Sequence, residues 1–404
     1  MVDSLTAPVG LSERLLPSIR QVMTVHDVTS GDEKQGFVLR VRGKLLVDPQ
    51  EAFNRLDPLF ASAGVTLLTR EDQDQEAILA MPGVIEPQPS NPWVNAVLFL
   101  LTLMSVLIAG ALYGLAGPVE PTLGGMAKAI LMNIPGGLSF ALSLLAILVA
   151  HEFGHYLAAR YHHTAVTLPY FLPFPGSLFG TLGAFIRLKE PPRNRRVLLD
   201  IGLAGPLAGM VIAIPVLLIG LALSSLGRLP LSPTAAVGHV LEGNSLFYLA
   251  AKYLVKGQLL PAPLHYAGTS PLLYWLRYFF LGLPMPFGGQ DVMLHPMAWA
   301  GWAGLLVTSL NLIPAGQLDG GHVLYVLFGR SAARLWPYIV VGLVLLGVVW
   351  SGWFIWAALI FLLGRTFARP RDELTRLDPR RRALAIFGLA LFFLVFTPVP
   401  LKLF

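Results

Sequence analysis

Five consecutive residues inside a long apolar stretch carry groups suited to acid–base and metal chemistry. They read His151-Glu152-Phe153-Gly154-His155. Two histidines four residues apart lie on one face of a helix, with their Cβ atoms about 5–6 Å apart. This spacing suits two nitrogen ligands on one zinc ion, with Glu152 beside them to take a proton from water. The pattern predicts a hydrolytic metal site, although a motif this short also occurs by chance.

The surroundings of the motif favour a functional interpretation. The motif lies in the apolar segment Gly137–Tyr161, and an acidic side chain at mid-bilayer costs about 2.5–3.5 kcal/mol on the insertion scale. Ionisable groups in such a place are by default functional or paired. The alternative is that these groups lie at a wet helix end without a metal. Arg160, His162 and His163 follow closely, and we interpret the two histidines as solvated interface residues rather than ligands.

A catalytic zinc ion takes three protein ligands and a water, so a third ligand is required. The chain has no cysteine, which excludes disulfides and thiolate sites and leaves His, Asp or Glu. Asp319 is a candidate because it follows an apolar segment whose continuation is broken by Pro314 and Gly316. Broken backbone at membrane depth is tolerated where it lines a cavity. Asp319 is explained equally well as the N-cap of a helix that begins at Gly320.

The composition divides the chain into two parts. Of the 404 residues 55% are hydrophobic and only 13% are charged, against about 25% charged in soluble domains. Residues 1–90 have an ordinary mixture, whereas apolar runs dominate residues 91–404. We predict a polytopic α-helical membrane protein with a small N-terminal soluble α+β domain. In that domain the pattern indicates one helix at 49–63 and three strands, at 36–46, 65–70 and 76–81. A regulatory or assembly role is expected for it.

Seven apolar segments are candidates to cross a hydrocarbon core that needs about 20 residues per helix. They are Trp93–Leu115, Gly137–Tyr161, Val197–Leu223, Met297–Leu312, Ala333–Val349, Trp353–Phe367 and Ala383–Phe396. The fifth and sixth are short and separated by a tight turn, so a closely packed hairpin is expected. Two shorter apolar stretches, Met126–Ile134 and Leu272–Leu283, are expected at the interface.

The placement of charge predicts the orientation. Basic residues cluster beside apolar segments at 187–196 and 365–382, where they act as topology determinants. Both clusters and residues 1–90 are therefore predicted to face the cytoplasm, and the connection 224–296 to face outward. No basic stripe with interleaved aromatics appears, so the net charge of +6 does not indicate nucleic-acid binding. Neither a cleaved secretory signal nor a transit segment is recognisable, and a bacterial cell membrane is the expected location.

Two motifs together carry a resemblance to a known family. The HEFGH sequence, followed far downstream by NLIPAGQLDGGH, resembles the site-2 protease family of intramembrane zinc metalloproteases. The second hallmark of that family, N-x-x-P-x-x-x-x-D-G, is matched at every spacing by Asn311, Pro314, Asp319 and Gly320. The resemblance extends over about residues 93–330.

This resemblance implies a site-2 protease core and a chemistry. It implies one zinc ion per chain held by His151, His155 and Asp319, with Glu152 as the general base. Transmembrane proteins within the lipid bilayer are the implied substrates, which are cut in or near their membrane segments. The N-terminal module bears a weaker resemblance to the plastid and cyanobacterial branch of the family. The sequence indicates neither the individual substrate nor the oligomeric state.

Other parts of the family-like region have two interpretations each. The stretch 179–187, which includes Gly183, resembles a membrane-embedded β-hairpin that binds substrate, but it reads equally well as an interfacial loop. Asn311 is a candidate for binding the substrate backbone or the developing oxyanion, or for a hydrogen bond between helices. Gln317 and His322 are candidates to line a water route. The Gly-rich stretch 205–209 is interpreted as close helix packing.

Three rival functions fit parts of the pattern. A catalytically silent scaffold is disfavoured by the intact Glu152 and both histidines. A metal or proton transporter that uses the same His/Asp cluster predicts repeated halves, which the sequence lacks. An unrelated HExxH membrane protease typically uses Glu as the third ligand.

Overall fold

The N-terminal part of the chain folds around an antiparallel sheet. The computed structural model describes residues 10–32, 35–115, 120, 122–232 and 240–403. The elements of this part are α1 (Leu11–Val22), β1 (Met23–Ser30), β2 (Leu39–Leu45), α2 (Pro49–Ser62), β3 (Val65–Asp72) and β4 (Gln75–Pro82). The strand order is β1-β2-β4-β3, and apolar residues from α1, α2 and the sheet form one buried core. An α+β arrangement is thus confirmed, with α1 and β1 in addition to the predicted elements.

The remainder of the chain is mostly helical. Its helices are α3 (Pro92–Tyr113), α4 (Leu123–Tyr161), α5 (Arg195–Leu223), α6 (Leu246–Lys256), α7 (Pro271–Leu281), α8 (Pro296–Asn311), α9 (Asp319–Phe328), α10 (Trp336–Val349), α11 (Gly352–Leu363) and α12 (Pro379–Val395). Three two-stranded sheets accompany them, and their strands are β5 (Tyr170–Pro173) with β6 (Thr181–Phe185), β7 (Ser225–Arg228) with β9 (Gln290–Met293), and β8 (Val240–Glu242) with β10 (Leu401–Leu403).

Within the described residues, three helices are long and apolar enough to cross a membrane, namely α3, α4 and α5. A fourth span results if α9 and α10, which are bent by 87° to one another, count as one. The other predicted segments are helical but shorter, so seven full spans are not confirmed. Met126–Ile134, which were expected at the interface as a separate short stretch, belong to the 39-residue helix α4, which continues through Pro135. In an apolar setting an unbroken helix keeps its backbone polar groups paired, which favours continuation over a break.

Helices at the centre of this region pack closely against one another at glycine residues. A Cβ on Gly110 of α3 would lie 2.7 Å from the carbonyl oxygen of Gly137 on α4, and one on Gly301 of α8 would lie 2.7 Å from Cα of Leu217 on α5. Small residues at such points let backbones pack tightly where no water drives association. The helix α4, which carries the histidine motif, is therefore held between α3, α5 and α8.

The N-terminal domain contacts both basic segments of the helical region. Arg193 donates to the side chain of Asn54, and Arg371 forms a bidentate pair with Asp57 at 2.7 and 3.1 Å. The two basic segments also contact each other, since the Arg371 amide donates to the Pro192 carbonyl at 2.9 Å. The domain and both segments therefore lie together beside the helical region.

A buried ionic cluster lies in the connection between α5 and α8. The Lys252 ammonium is fully buried, 3.9 Å from a carboxylate oxygen of Glu242 and 3.8 Å from one of Asp291. It also lies 4.5 Å from the centre of the Tyr248 ring, whose hydroxyl donates to Glu242 at 2.9 Å. Two carboxylates face one cation here. Burial disfavours the charged form of Glu242, and the negative charge of Asp291 adds to this effect, so the pKa of Glu242 is raised to about 7.

This cluster predicts a pH dependence of local stability. Because the pKa of Glu242 is higher in the folded chain than in the unfolded one, the folded state binds the additional proton, and stability falls as pH rises from about 4.5 to about 7. Hydrogen exchange of β9 and α6 amides, corrected for the intrinsic effect of pH, should report easier opening at pH 8 than at pH 5. Glu242→Gln should flatten this dependence, whereas Glu86→Gln, at an exposed carboxylate, should leave it unchanged. An unaltered pH profile in Glu242→Gln would contradict the assignment.

Candidate active site

The two motif histidines meet on one face of α4, as their spacing predicts. Both are buried, and their Nε2 atoms are 3.2 Å apart. Four residues of helix separate them, so one turn brings the rings side by side. The neighbouring Glu152 is also buried.

Asp319 lies directly against both histidines. Its Oδ2 is 3.3 Å from His151 Nε2, and its Oδ1 is 3.4 Å from His155 Nε2. The alternative role as a helix cap does not hold, because Leu318 occupies the N-cap position of α9 and no side-chain capping bond is made there. The carboxylate points at the histidines instead of at the end of its own helix.

The donor atoms lie close enough together to hold one metal ion. One atom from each of His151, His155 and Asp319 lies within 4.8 Å of the others; the two Nε2 atoms are 3.2 Å apart, and each lies 3.3–3.4 Å from a different oxygen of the Asp319 carboxylate. Ligands at about 2.0–2.1 Å from a tetrahedral zinc ion are about 3.3–3.4 Å apart. Two imidazoles and a carboxylate are also a donor set that zinc accepts. The three side chains are thus the residues that would hold a zinc ion here.

The orientation of His155 is fixed by α5, which packs against α4. Its Nδ1 donates to the carbonyl oxygen of Ile201 at 2.7 Å. This hydrogen bond leaves the Nε2 lone pair directed at Asp319 and His151, as metal-binding histidines require. The same helix leaves room for both rings through glycines. A Cβ on Gly205 would lie 2.0 Å from His155 Nε2, and one on Gly209 would lie 3.2 Å from His151 Nδ1.

The Gly-rich stretch 205–209 therefore serves the site as well as helix packing. Sequence reasoning missed this role, and it missed the Ile201 carbonyl. The signal was present only as small residues in an apolar helix, a pattern that ordinary helix packing also produces. The spacing of Gly205 and Gly209 along the sequence does not indicate that the rings of His155 and His151 lie against them.

Gly205→Ala is expected to remove most zinc binding and activity. The added methyl group cannot share space with the His155 ring, and a displacement of 1 Å at a catalytic site costs about 100-fold in rate. Zinc content after purification and the rate of peptide cleavage measure the effect. Gly220→Ala is the matched control on the same helix, since its Cβ would lie 2.2 Å from the Ala298 amide nitrogen, about 22 Å along the helix from Gly205. If Gly205→Ala retained wild-type zinc content, the packing argument would fail.

A cavity of about 690 Å³ opens over these residues. Its volume falls within the range of about 300–1,000 Å³ that is typical of ligand sites. The residues that line it include His151, Glu152, His155, Asn311, Gln317, Asp319 and His322, together with the chain from Ala184 to Pro192 and the pair Ala368 and Arg369. The cavity thus joins the three donor residues and Glu152 to the side that carries the basic segments.

The remaining predicted residues divide into two groups. Asn311 is part of the site, with Nδ2 at 3.2 Å from His151 Nε2. Gln317 and His322 line the cavity as expected. Gly183 does not line it, although its neighbour Ala184 does; it lies on β6 with a φ of +102° that favours glycine. The predicted hairpin is present as β5 paired with β6.

His162 and His163 stand apart from this site. His162 Nε2 lies 2.9 Å from the Asp200 carboxylate, and His163 ends the α4 region with a positive φ of 56°. Neither is among the residues that line the cavity, in agreement with their interpretation as non-ligands. The Asp200 carboxylate also accepts from Arg381 of α12, so His162 joins the end of α4 to two neighbouring helices.

Known proteins similar to this chain include plant metalloproteases. The chain is 30% identical over 337 residues to "Probable zinc metalloprotease EGY1, chloroplastic" of Arabidopsis thaliana, an alignment that covers 78% of this chain and 55% of the relative. It is 29% identical over 382 residues to "Probable zinc metalloprotease EGY2, chloroplastic" of the same plant, which covers 92% and 62% respectively. The chain thus spans a little over half the length of these relatives. No solved structure matches it.

The alignment that covers 92% of the chain reaches into the first 90 residues, in agreement with the resemblance of the N-terminal module to the plastid branch. The family model "Peptidase family M50" matches residues 139–348, just over half of the chain. That range includes both motifs, so the resemblance to the site-2 proteases is confirmed. The chain belongs to peptidase family M50.

Proposed function

We propose that this protein is an intramembrane zinc metalloprotease that hydrolyses peptide bonds in or near the transmembrane segments of other membrane proteins. The observation that carries the proposal is the cluster of His151, His155 and Asp319 beside the buried Glu152: the two Nε2 atoms are 3.2 Å apart, and each lies 3.3–3.4 Å from one oxygen of the Asp319 carboxylate. Its position on an apolar helix supports a substrate that reaches the site from the bilayer. The names of the plant relatives support the same activity.

Each residue of the site has a proposed task. When bound, one zinc ion supplies Lewis acidity, which polarises the scissile carbonyl and makes water acidic enough to be deprotonated near neutral pH. Glu152 accepts the proton of the attacking water and then delivers it to the leaving amine nitrogen. Asn311 donates from its amide to the scissile carbonyl oxygen, where negative charge develops. His155 keeps its Nε2 available because its Nδ1 proton is held by the Ile201 carbonyl.

The hairpin of β5 and β6 is the proposed binding place for an unwound substrate. Each strand of this two-stranded sheet has a backbone edge that the other strand does not use. An extended peptide can add to such an edge through main-chain hydrogen bonds. Ala184 and Phe185 of β6 line the cavity, so a segment paired there would reach the metal ligands. Gly183, with no side chain, would leave the approach of the peptide unobstructed.

The membrane arrangement follows from the same proposal. The shorter apolar helices α8, α10, α11 and α12 would complete seven membrane segments around the site. Residues 1–90 and the two basic segments would face the cytoplasm of a bacterial cell, whereas "chloroplastic" is said of the plant relatives alone. Lysine- and arginine-rich short segments favour the cytoplasmic side. The cavity would then receive water from the cytoplasm.

Purified full-length protein tests this proposal directly. It would be incubated in detergent or liposomes with a set of single-pass transmembrane peptides, and products would be identified by mass spectrometry. Cleavage within or beside the apolar segment that a zinc chelator stops and added zinc restores would support a metalloprotease. Glu152→Ala in native membranes would be used to trap natural substrates, which would then be tested in the same way. A protein that binds zinc but cleaves neither the peptides nor the trapped substrates would favour a silent scaffold. Transport of zinc or protons across liposomes would favour the transporter.

A further inference from the structure

The N-terminal domain is joined to the helical region by strand pairing. The Thr69 amide on β3 donates to the Arg371 carbonyl at 3.0 Å, and the Glu373 amide donates back to the Thr69 carbonyl at 3.1 Å. The Thr69 hydroxyl also donates to the Asp372 carboxylate at 2.6 Å. We call the segment 370–376 the strap. The strap forms a parallel β-bridge with the edge strand β3 at Thr69 and Asp372, and it follows directly after Ala368 and Arg369 of the cavity.

Arg70, the next residue on β3, reaches further into the helical region. Its guanidinium donates to the carbonyl oxygens of Pro370 at 2.8 Å and Arg371 at 2.9 Å. Its Nε lies 3.4 Å from a carboxylate oxygen of Glu373, a side chain that is only 3% exposed. Burial lowers the pKa of Arg70, and the charge of Glu373 acts against that effect. A buried pair of this kind is costly to break, because the remaining partner keeps an uncompensated charge.

Glu373 passes the connection on to the helix of the third metal ligand. The Tyr325 hydroxyl donates to the same carboxylate oxygen at 2.7 Å, and the tyrosine is 2% exposed. Tyr325 lies on α9, whose first residue is Asp319. Six residues of helix correspond to about 9 Å along its axis. A shift of the Tyr325 end of this ten-residue helix therefore moves the carboxylate at its other end.

We propose that Arg70, Glu373 and Tyr325 are positioning residues for Asp319, so that the N-terminal domain sets the metal affinity of the site. The proposal rests on the function proposed above in requiring that the site bind zinc. The domain acts through three consecutive contacts: Arg70 with Glu373, Glu373 with Tyr325, and Tyr325 through α9 with Asp319. Breaking any one of them lets α9 tilt away from His151 and His155. A domain that served only for attachment would leave zinc affinity unchanged when these contacts are cut.

The test measures zinc affinity of the full-length protein in detergent by competition with a chelating dye. Three single variants affect the two side-chain contacts with little loss of volume: Arg70→Met removes the first, Tyr325→Phe removes the second, and Glu373→Gln takes away the charge that both share. Residues that orient ligands directly change metal affinity by about 10–100-fold, and these act from further away, so about 3–10-fold weaker binding is expected. Arg70→Lys should recover part of the loss. The double variant Arg70→Met with Tyr325→Phe should lose less zinc-binding free energy than the two single variants lose together, because both substitutions interrupt the same series of contacts.

The matched control is Arg42→Met. Arg42 lies on β2 of the same sheet and pairs with Asp27 at 2.7 and 3.1 Å, without contact to the strap. The Arg42→Met variant should bind zinc with wild-type affinity. Tyr325→Phe, which removes one hydroxyl, serves as the mild variant if Arg70→Met fails to fold.

The outcomes separate this proposal from the proposed function. Wild-type protein that binds zinc, with Arg70→Met and Tyr325→Phe binding equally well, overturns the positioning role and leaves the protease proposal intact. Equal losses in Arg42→Met and Arg70→Met also overturn it, since the effect would then be general destabilisation of the domain. Wild-type protein without zinc affinity overturns both proposals.

Discussion

Replacing Glu152 by glutamine is expected to abolish peptide hydrolysis while zinc remains bound. The side chain keeps its size and place in the cavity, but the amide cannot accept the proton of the attacking water. Loss of a general base costs about 10²–10⁴-fold in rate. Mass spectrometry of a transmembrane peptide after long incubation gives the rate, and metal analysis of the same sample gives the zinc content.

The control for this variant is Glu190→Gln. Glu190 also lines the cavity, but its carboxylate accepts from the Ala165 backbone amide at 2.7 Å, a bond that glutamine retains. It should cleave at a rate close to wild type. Full activity in Glu152→Gln would be incompatible with the proposed mechanism, whatever its zinc content.

Replacing Asp319 by asparagine is expected to lower zinc affinity by more than about 100-fold. Mutation of a residue that only orients a metal ligand already lowers metal affinity by about 10–100-fold. Asp319 is the carboxylate of the group that it forms with His151 and His155, so its replacement should have a larger effect. Its loss also removes the negative charge that offsets the metal ion. Dialysis against a chelator of graded strength, followed by metal analysis, measures the change.

Asp378→Asn separates this effect from helix capping. Asp378 is the N-cap of α12 and accepts from the Arg381 amide at 3.0 Å, and asparagine caps a helix about as well as aspartate. This variant should bind zinc as wild type does. Unchanged affinity in Asp319→Asn would return Asp319 to the role of a structural residue at the start of α9.

The pairing of the two histidines was predictable from sequence because it follows from local geometry. His151 and His155 are one helical turn apart, so any helix brings them together. Asp319 was different, since a carboxylate before a glycine pair suits a cap as well as a ligand. Only the family spacing favoured the ligand, and the distances of 3.3 and 3.4 Å now agree with it.

What the sequence did not predict depends on contacts between distant segments. Gly205 reads as a packing glycine until the His155 ring is placed against it. The pairing of β3 with the strap joins residues 303 positions apart, and neither segment has a pattern that identifies its partner. The strand β1 was missed because it lies at the sheet edge, where only Met23 is fully buried. Pro17 inside α1 likewise weakens the helix signal.

The pairing of β3 with the strap has a consequence for how the protein is made. The N-terminal domain leaves the ribosome before the helical region does, and the partner of its edge strand is synthesised 303 residues later. At about 5–20 residues per second, this delay is about 15–60 s. An unpaired strand edge readily associates with other chains. The newborn domain must therefore stay soluble with Thr69 and Arg70 exposed while the chain as far as α11 is synthesised.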